Sequence, residues 1–86
     1  MKKVWQALAE PTRREILELL KKRDMSAGEI AEHFSTTAPT ISHHLAVLKD
    51  AGLVECERHA QTLKYSINVS VFEAFLASLA KLMGKE

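Results

Sequence analysis

Between Thr36 and His44 the chain gathers hydroxyls and imidazoles: Thr36, Thr37, Thr40, Ser42, His43 and His44, with Pro39 among them. Such groups hydrogen-bond without a fixed charge, so they suit base edges in a duplex groove as well as phosphate oxygens. A second polar set, Arg58, Gln61 and Lys64, lies further along and could reach phosphates or a minor groove. No glycine-rich phosphate loop, carboxylate pair or nucleophile with a positioned base accompanies either set, so an enzyme is not expected.

The elements that must hold these groups follow from periodicity and caps. Val4, Trp5, Ala7 and Leu8 fit a short helix over 3–9, closed by Glu10-Pro11, because a residue before proline avoids helical geometry. Pro11 opens a second helix with Thr12, Ile16, Leu19 and Leu20 on one face, ending near Arg23-Asp24. Ser26-Ala27-Gly28-Glu29 reads as a capping box for a third helix, 27–34, which offers Ile30, Ala31 and Phe34 inward. After Ser35-Thr36-Thr37, a fourth helix puts Ala38, Ile41, Leu45 and Leu48 inward and stops at Gly52. Two helices joined by a short polar turn, over about 26–51, make the helix-turn-helix pattern.

Beyond Gly52 the period drops to two. Val54 and Cys56 alternate with Glu55 and Glu57, and Leu63, Tyr65 and Ile67 with Lys64 and Ser66, which predicts a two-stranded wing over about 53–67 with His59-Ala60-Gln61-Thr62 as its loop. Phe72, Phe75, Leu76, Leu79, Leu82 and Met83 then repeat at helical spacing over 71–83. The expected fold is a single domain, 1–86, mostly α with a small β-wing (α+β): a winged helix-turn-helix of five helices in the order ααααββα.

Composition agrees with one small globule: 86 residues, 47% hydrophobic, 27% charged. The lone Cys56 excludes an internal disulfide and, on the inward side of a strand, reads as an inert core thiol. No apolar run approaches a membrane span, and Met1-Lys2-Lys3 does not lead into a signal-peptide core, so a cytoplasmic protein is expected. Net charge is only +1. Residues 1–23 carry seven Lys/Arg against three acids, but residues 37–67 balance Lys49, Arg58 and Lys64 against Asp50, Glu55 and Glu57. The proposed contact face is neutral, which predicts a shallow salt dependence and leaves a protein-binding module as the rival reading.

Two segments carry a family resemblance. Ala9-Glu10-Pro11-Thr12-Arg13-Arg14-Glu15-Ile16-Leu17 is similar to the opening segment of the ArsR family of bacterial repressors, and Pro39-Thr40-Ile41-Ser42-His43-His44-Leu45-Ala46-Val47-Leu48 is similar to its recognition helix. Ala51-Gly52-Leu53-Val54 fits the family's approach to the wing, and the chain most resembles the short SdpR-like members without metal ligands. The resemblance implies a homodimeric repressor on a duplex operator, with a palindromic site and without a cofactor. With Ile41, Leu45 and Leu48 inward, steps of about 100° place Thr40 and His43 outward as base readers, flanked by Pro39 and Ser42. His44 sits at the edge of the buried face and could pack or touch a phosphate; Thr36 and Thr37 could offer hydroxyls and amides to one.

Ten of the fourteen residues in 71–84 are apolar, more than one stripe against so small a core requires. Val4, Trp5 and Leu8 with Phe72, Phe75, Leu76, Leu79, Leu82 and Met83 are therefore the expected dimer surface, in the manner of ArsR-like proteins. Many members of that family sense metals through cysteines in the third helix or Asp/His/Glu sets in the last. Here the third helix has no cysteine and one lone His33, the last has only Glu73 as a possible ligand, and the adjacent His43 and His44 point about 100° apart, so no metal site is expected. An unidentified protein or small-molecule effector remains open, as does autoregulation.

Overall fold

Four of the five helices begin at a side-chain cap, which is why local sequence fixes their starts. The computed structural model describes residues 1–84. Helix α1 (Lys2–Leu8) leads to α2 (Pro11–Leu20), where the Glu10 carboxylate accepts from the Thr12 amide at 2.6 Å. In α3 (Ala27–Ala31) the capping box is complete: Glu29 N–H donates to Ser26 Oγ at 3.1 Å and Ser26 N–H to Glu29 Oε1 at 2.9 Å. Thr37 caps α4 (Ala38–Asp50), and Gly52, at φ +80, takes the left-handed conformation that ends it. Strands β1 (Val54–His59) and β2 (Thr62–Ile67) pair antiparallel with Val54 opposite Ile67 and His59 opposite Thr62. Helix α5 (Val69–Leu82) closes the chain, giving the order ααααββα.

Bounds differ from the sequence reading where caps outweigh periodicity. Asn68 accepts from the Val71 amide at 3.4 Å and starts α5 at Val69, two residues early. Helix α2 ends at Leu20 rather than near Arg23, and α3 is one regular turn, its continuation to Phe34 being a looser turn. In α2 the buried set is Ile16, Leu17 and Leu20, with Leu19 half-buried, because α1, α4 and β2 all pack on the helix.

The core is one cluster in which Ile16, Ile30, Ile41, Leu45, Leu48, Leu53 and Val54 are sealed from solvent. It draws one or more residues from every element except β2, which packs Tyr65 and Ile67 against it half-buried. Val4 and Phe75, expected at a subunit surface, belong to this core instead: α1 and α5 lie over the body and each gives it one large side chain. Trp5 covers the Phe75 ring edge-on at 5.0 Å.

The wing is anchored at its root. Met25 and Tyr65 exchange both backbone hydrogen bonds, at 3.1 and 2.7 Å, and Asn68 N–H donates to Leu53 C=O at 2.9 Å. Cys56 is half-buried opposite Tyr65, whose phenol is pushed up by burial and by the neighbouring thiol. Leu63, placed inward by alternation, is 41% exposed because the outer wing projects past the core. The loop is tighter than expected, with Ala60 and Gln61 alone between the strands and Ala60 at φ +58. Positive φ at the first central residue is a position that glycine fills without strain.

Candidate nucleic-acid interface

Helix α4 is divided cleanly. Ile41, Leu45 and Leu48 are fully buried, while Pro39, Thr40, Ser42 and His43 are all exposed. Thr36 and Thr37 are exposed just before it, so the helix amino terminus and its hydroxyls share one surface. Thr37 Oγ1 accepts from the Thr40 amide at 3.3 Å and lies 3.0 Å from Thr40 Oγ1. The cap therefore also engages the Thr40 hydroxyl, on a side chain that stays exposed. On the wing, Arg58 and Gln61 are exposed at the tip, and Arg58 makes no ion pair among the described residues.

Two residues assigned to this surface by sequence turn elsewhere. His44 has only 12% of its side chain exposed: Nε2 lies 3.2 Å from Glu10 Oε2 and Nδ1 lies 3.2 Å from an Arg13 guanidinium nitrogen. It packs α4 against the α1–α2 joint instead of facing a groove, the inward alternative for that edge position. Lys64 leaves the wing tip and reaches back to Glu29 Oε1 at 2.9 Å, because its place on β2 faces α3.

Glu29 thus serves three elements. It caps α3 through Ser26, holds Lys64 of β2, and meets Arg23 at 3.3 Å. The Ser26 amide above all, then Lys64 and Arg23, hold its carboxyl down to about 2. Glu10 is also lowered, chiefly by the Thr12 amide.

The basic amino-terminal segment is similarly committed. Arg13 Nε donates to Ala7 C=O at 2.7 Å and another guanidinium nitrogen to Gln6 C=O at 3.3 Å; Arg14 donates to Leu8 C=O at 2.7 Å. These guanidinium groups satisfy the Ala7 and Leu8 carbonyls at the end of α1 and give Gln6 C=O a second donor beside Ala9 N–H. Lys3 pairs with Asp50 and Lys21 with Glu18. This network is the part of the molecule that periodicity does not reveal. Among the described residues no three His, Cys, Asp or Glu side chains converge on a possible metal position, and no helix is long and apolar enough to cross a membrane.

A capped two-helix unit with an exposed polar second helix, a two-stranded wing and flanking helices defines a winged helix-turn-helix domain. Residues 10–55 match the family described as "Bacterial regulatory protein, arsR family", and the chain belongs to that family of winged-helix transcriptional repressors. It is 49% identical over 73 residues to the transcriptional repressor SdpR of Bacillus subtilis (strain 168), covering 85% of this chain and 81% of that protein. Among solved structures, an ArsR-like transcriptional regulator from Rhodococcus sp. RHA1 superposes with a TM-score of 0.87 at 28% identity, covering 96% of this chain and 78% of the other. The homodimeric winged helix-turn-helix DNA-binding domain of a possible ArsR-family regulator from Mycobacterium bovis gives a TM-score of 0.78 at 32% identity, covering 96% of this chain and 76% of the other.

Proposed function

We propose that this chain is a homodimeric repressor that reads a palindromic operator with Thr40 and His43 of α4 in the major groove. Pro39 and Ser42 flank the readers. Thr36 and Thr37 meet a phosphate at the helix start, and Arg58 and Gln61 extend the contact along the backbone from the wing. The observation that carries this reading is the segregation of α4, whose aliphatic side is sealed in the core while its hydroxyls and one imidazole face solvent beside an exposed wing.

The dimer reading rests on α5. Val69, Phe72, Leu76, Leu79 and Met83 recur at alternating three- and four-residue steps, the heptad seam of paired helices, and Val69, Leu76 and Met83 are exposed. Leu76 alone keeps 59% of its surface in water. An apolar groove of about 320 Å³ between α2 and α5 shares Val69, Phe72 and Leu76 with this seam. Trp5, Leu8, Leu82 and Met83 extend the apolar surface, whereas Val4 and Phe75 support it from beneath. The homodimer named for the Mycobacterium bovis domain supports the same assembly. Repression without a metal effector, and control of its own gene, complete the proposal; the first rests on a third helix without cysteine and a last helix with Glu73 alone as a possible ligand.

The test is a gel shift with the DNA upstream of the protein's own gene, using wild type and the Thr40→Ala, His43→Ala double variant. Loss of the specific shift in the double variant is expected. Undiminished binding by that variant refutes the assignment of these two readers, and no binding by wild type favours a protein-binding module.

A further inference from the structure

Helix α4 turns one polar side chain inward, toward the joint between α1 and α2 behind it. His44 lies between Glu10 and Arg13. An arginine guanidinium can only donate, so His44 Nδ1 must accept and carries no proton; the ring proton sits on Nε2, facing the Glu10 carboxylate. The contact is therefore directional, because it holds one tautomer in one ring orientation.

Both partners of His44 are themselves immobilised. Glu10 is fixed as the cap of α2 by the Thr12 amide. Arg13 is fixed by the Ala7 and Gln6 carbonyls at the end of α1. The recognition helix is thus joined through one imidazole to two helix termini at once, and Lys3 and Asp50 link α1 to the far end of the same helix at 3.1 Å. His44 directly follows His43, so rotation of α4 about its axis moves the Thr40 and His43 face and the His44 clasp together.

We propose, resting on the DNA-binding reading above, that His44 and Arg13 are positioning residues for operator recognition. Their contact sets the rotation of α4, and so the direction in which Thr40 and His43 point, without touching DNA. It also ties that setting to the last turn of α1.

Two measurements test this. NMR of the imidazole nitrogens in the wild-type protein reads the tautomer directly: a bare Nδ1 and a protonated Nε2 on His44 are expected, and a proton on Nδ1 overturns the clasp. The second measurement compares His44→Ala, Arg13→Lys and the double variant on the upstream duplex and on a scrambled duplex of equal length. Arg13→Lys keeps the charge but loses the planar fork. Specific affinity is expected to fall roughly tenfold, the scale of one lost base-pair reading. Nonspecific affinity should stay within about twofold, since no phosphate contact is removed. The double variant should lose no more than either single one, as residues acting through one contact do.

Equal losses on both duplexes, additive losses, or no loss each overturn the proposal; the first would mark His44 as a direct phosphate contact. Circular dichroism establishes that each variant is folded, and if His44→Ala is not, Arg13→Lys and the tautomer carry the decision. If wild type fails to distinguish the duplexes, the operator reading falls. The tautomer and the additivity of the variants' melting temperatures then still judge the clasp, additive shifts overturning it.

Discussion

Salt dependence is the sharpest quantitative consequence of the charge arrangement. Within residues 36–67, Lys64 is opposed by Glu29, leaving Lys49 and Arg58 as the cations without an ion pair among the described residues. Arg13 and Arg14 direct their forks to α1 carbonyls. In the proposed dimer, two available cations per protomer would make about four phosphate contacts, and at about 0.9 ions released per contact the expected slope of log affinity against log salt is about −3.6. Raising salt from about 50 to 200 mM should then weaken binding roughly 150-fold, well short of the loss for a strongly basic repressor. Arg58→Ala removes one contact from each wing and should bring the slope to about −1.8. Lys64→Ala, whose charge is already opposed, should leave it nearly unchanged. Fluorescence anisotropy with labelled operator across that salt range gives all three slopes. A wild-type slope near −9, that of about ten phosphates, would refute the reasoning, as would an Arg58→Ala slope equal to wild type.

Other expectations follow from single residues. Leu45 is wholly buried on α4, so Leu45→Ala should cost about 2–5 kcal/mol and lower the melting temperature by roughly 10 °C or more, measured by circular dichroism. Ala60→Gly should raise stability by about 0.5 kcal/mol, since relief of the φ +58 conformation outweighs the added chain entropy; a lower urea midpoint would contradict it. Glu29 is held below its usual range, so its contribution is complete above the unfolded-state value of 4.5 and is lost as pH falls toward about 2. The stability gap between wild type and Glu29→Gln should therefore be constant above about pH 5 and close on acidification, and a gap that widened in acid would oppose this account. Leu76→Glu puts a charge in the α5 seam and should give one-chain mass by light scattering at micromolar concentration, where wild type gives two.

The helix-turn-helix was legible because its signals are local. Ser26 with Glu29, Thr37 before Ala38, and Gly52 after Asp50 each act within four residues, and the structure uses every one of them. The exposed Thr40 and His43 face followed from the same short-range periodicity. Long-range polar pairs were not legible. The partners Arg13 and His44, and Glu29 and Lys64, are separated by 31 and 35 residues, and no periodic pattern records which distant charge a side chain will meet. Apolar stripes gave a related ambiguity: Val4 and Phe75 announced that α1 and α5 bury something, but whether the cover is this chain or a second one depends on packing. Ala60 gave no signal of its unusual turn, since only a glycine or asparagine there would have marked it.

The bridge between Met25 and Tyr65 also determines how the wing can bend. Backbone bonds grip the hairpin at Tyr65, and the Lys64 ammonium on Glu29 grips it one residue further out. Beyond that grip lie two residue pairs and the turn, an overhang of about 10 Å at the usual rise per residue. The hairpin is thus a cantilever with a clamped root and a short free end. Arg58 and Gln61 ride on that free end, outside both grips, while the clamped part of the hairpin is the part tied to Met25 and Glu29.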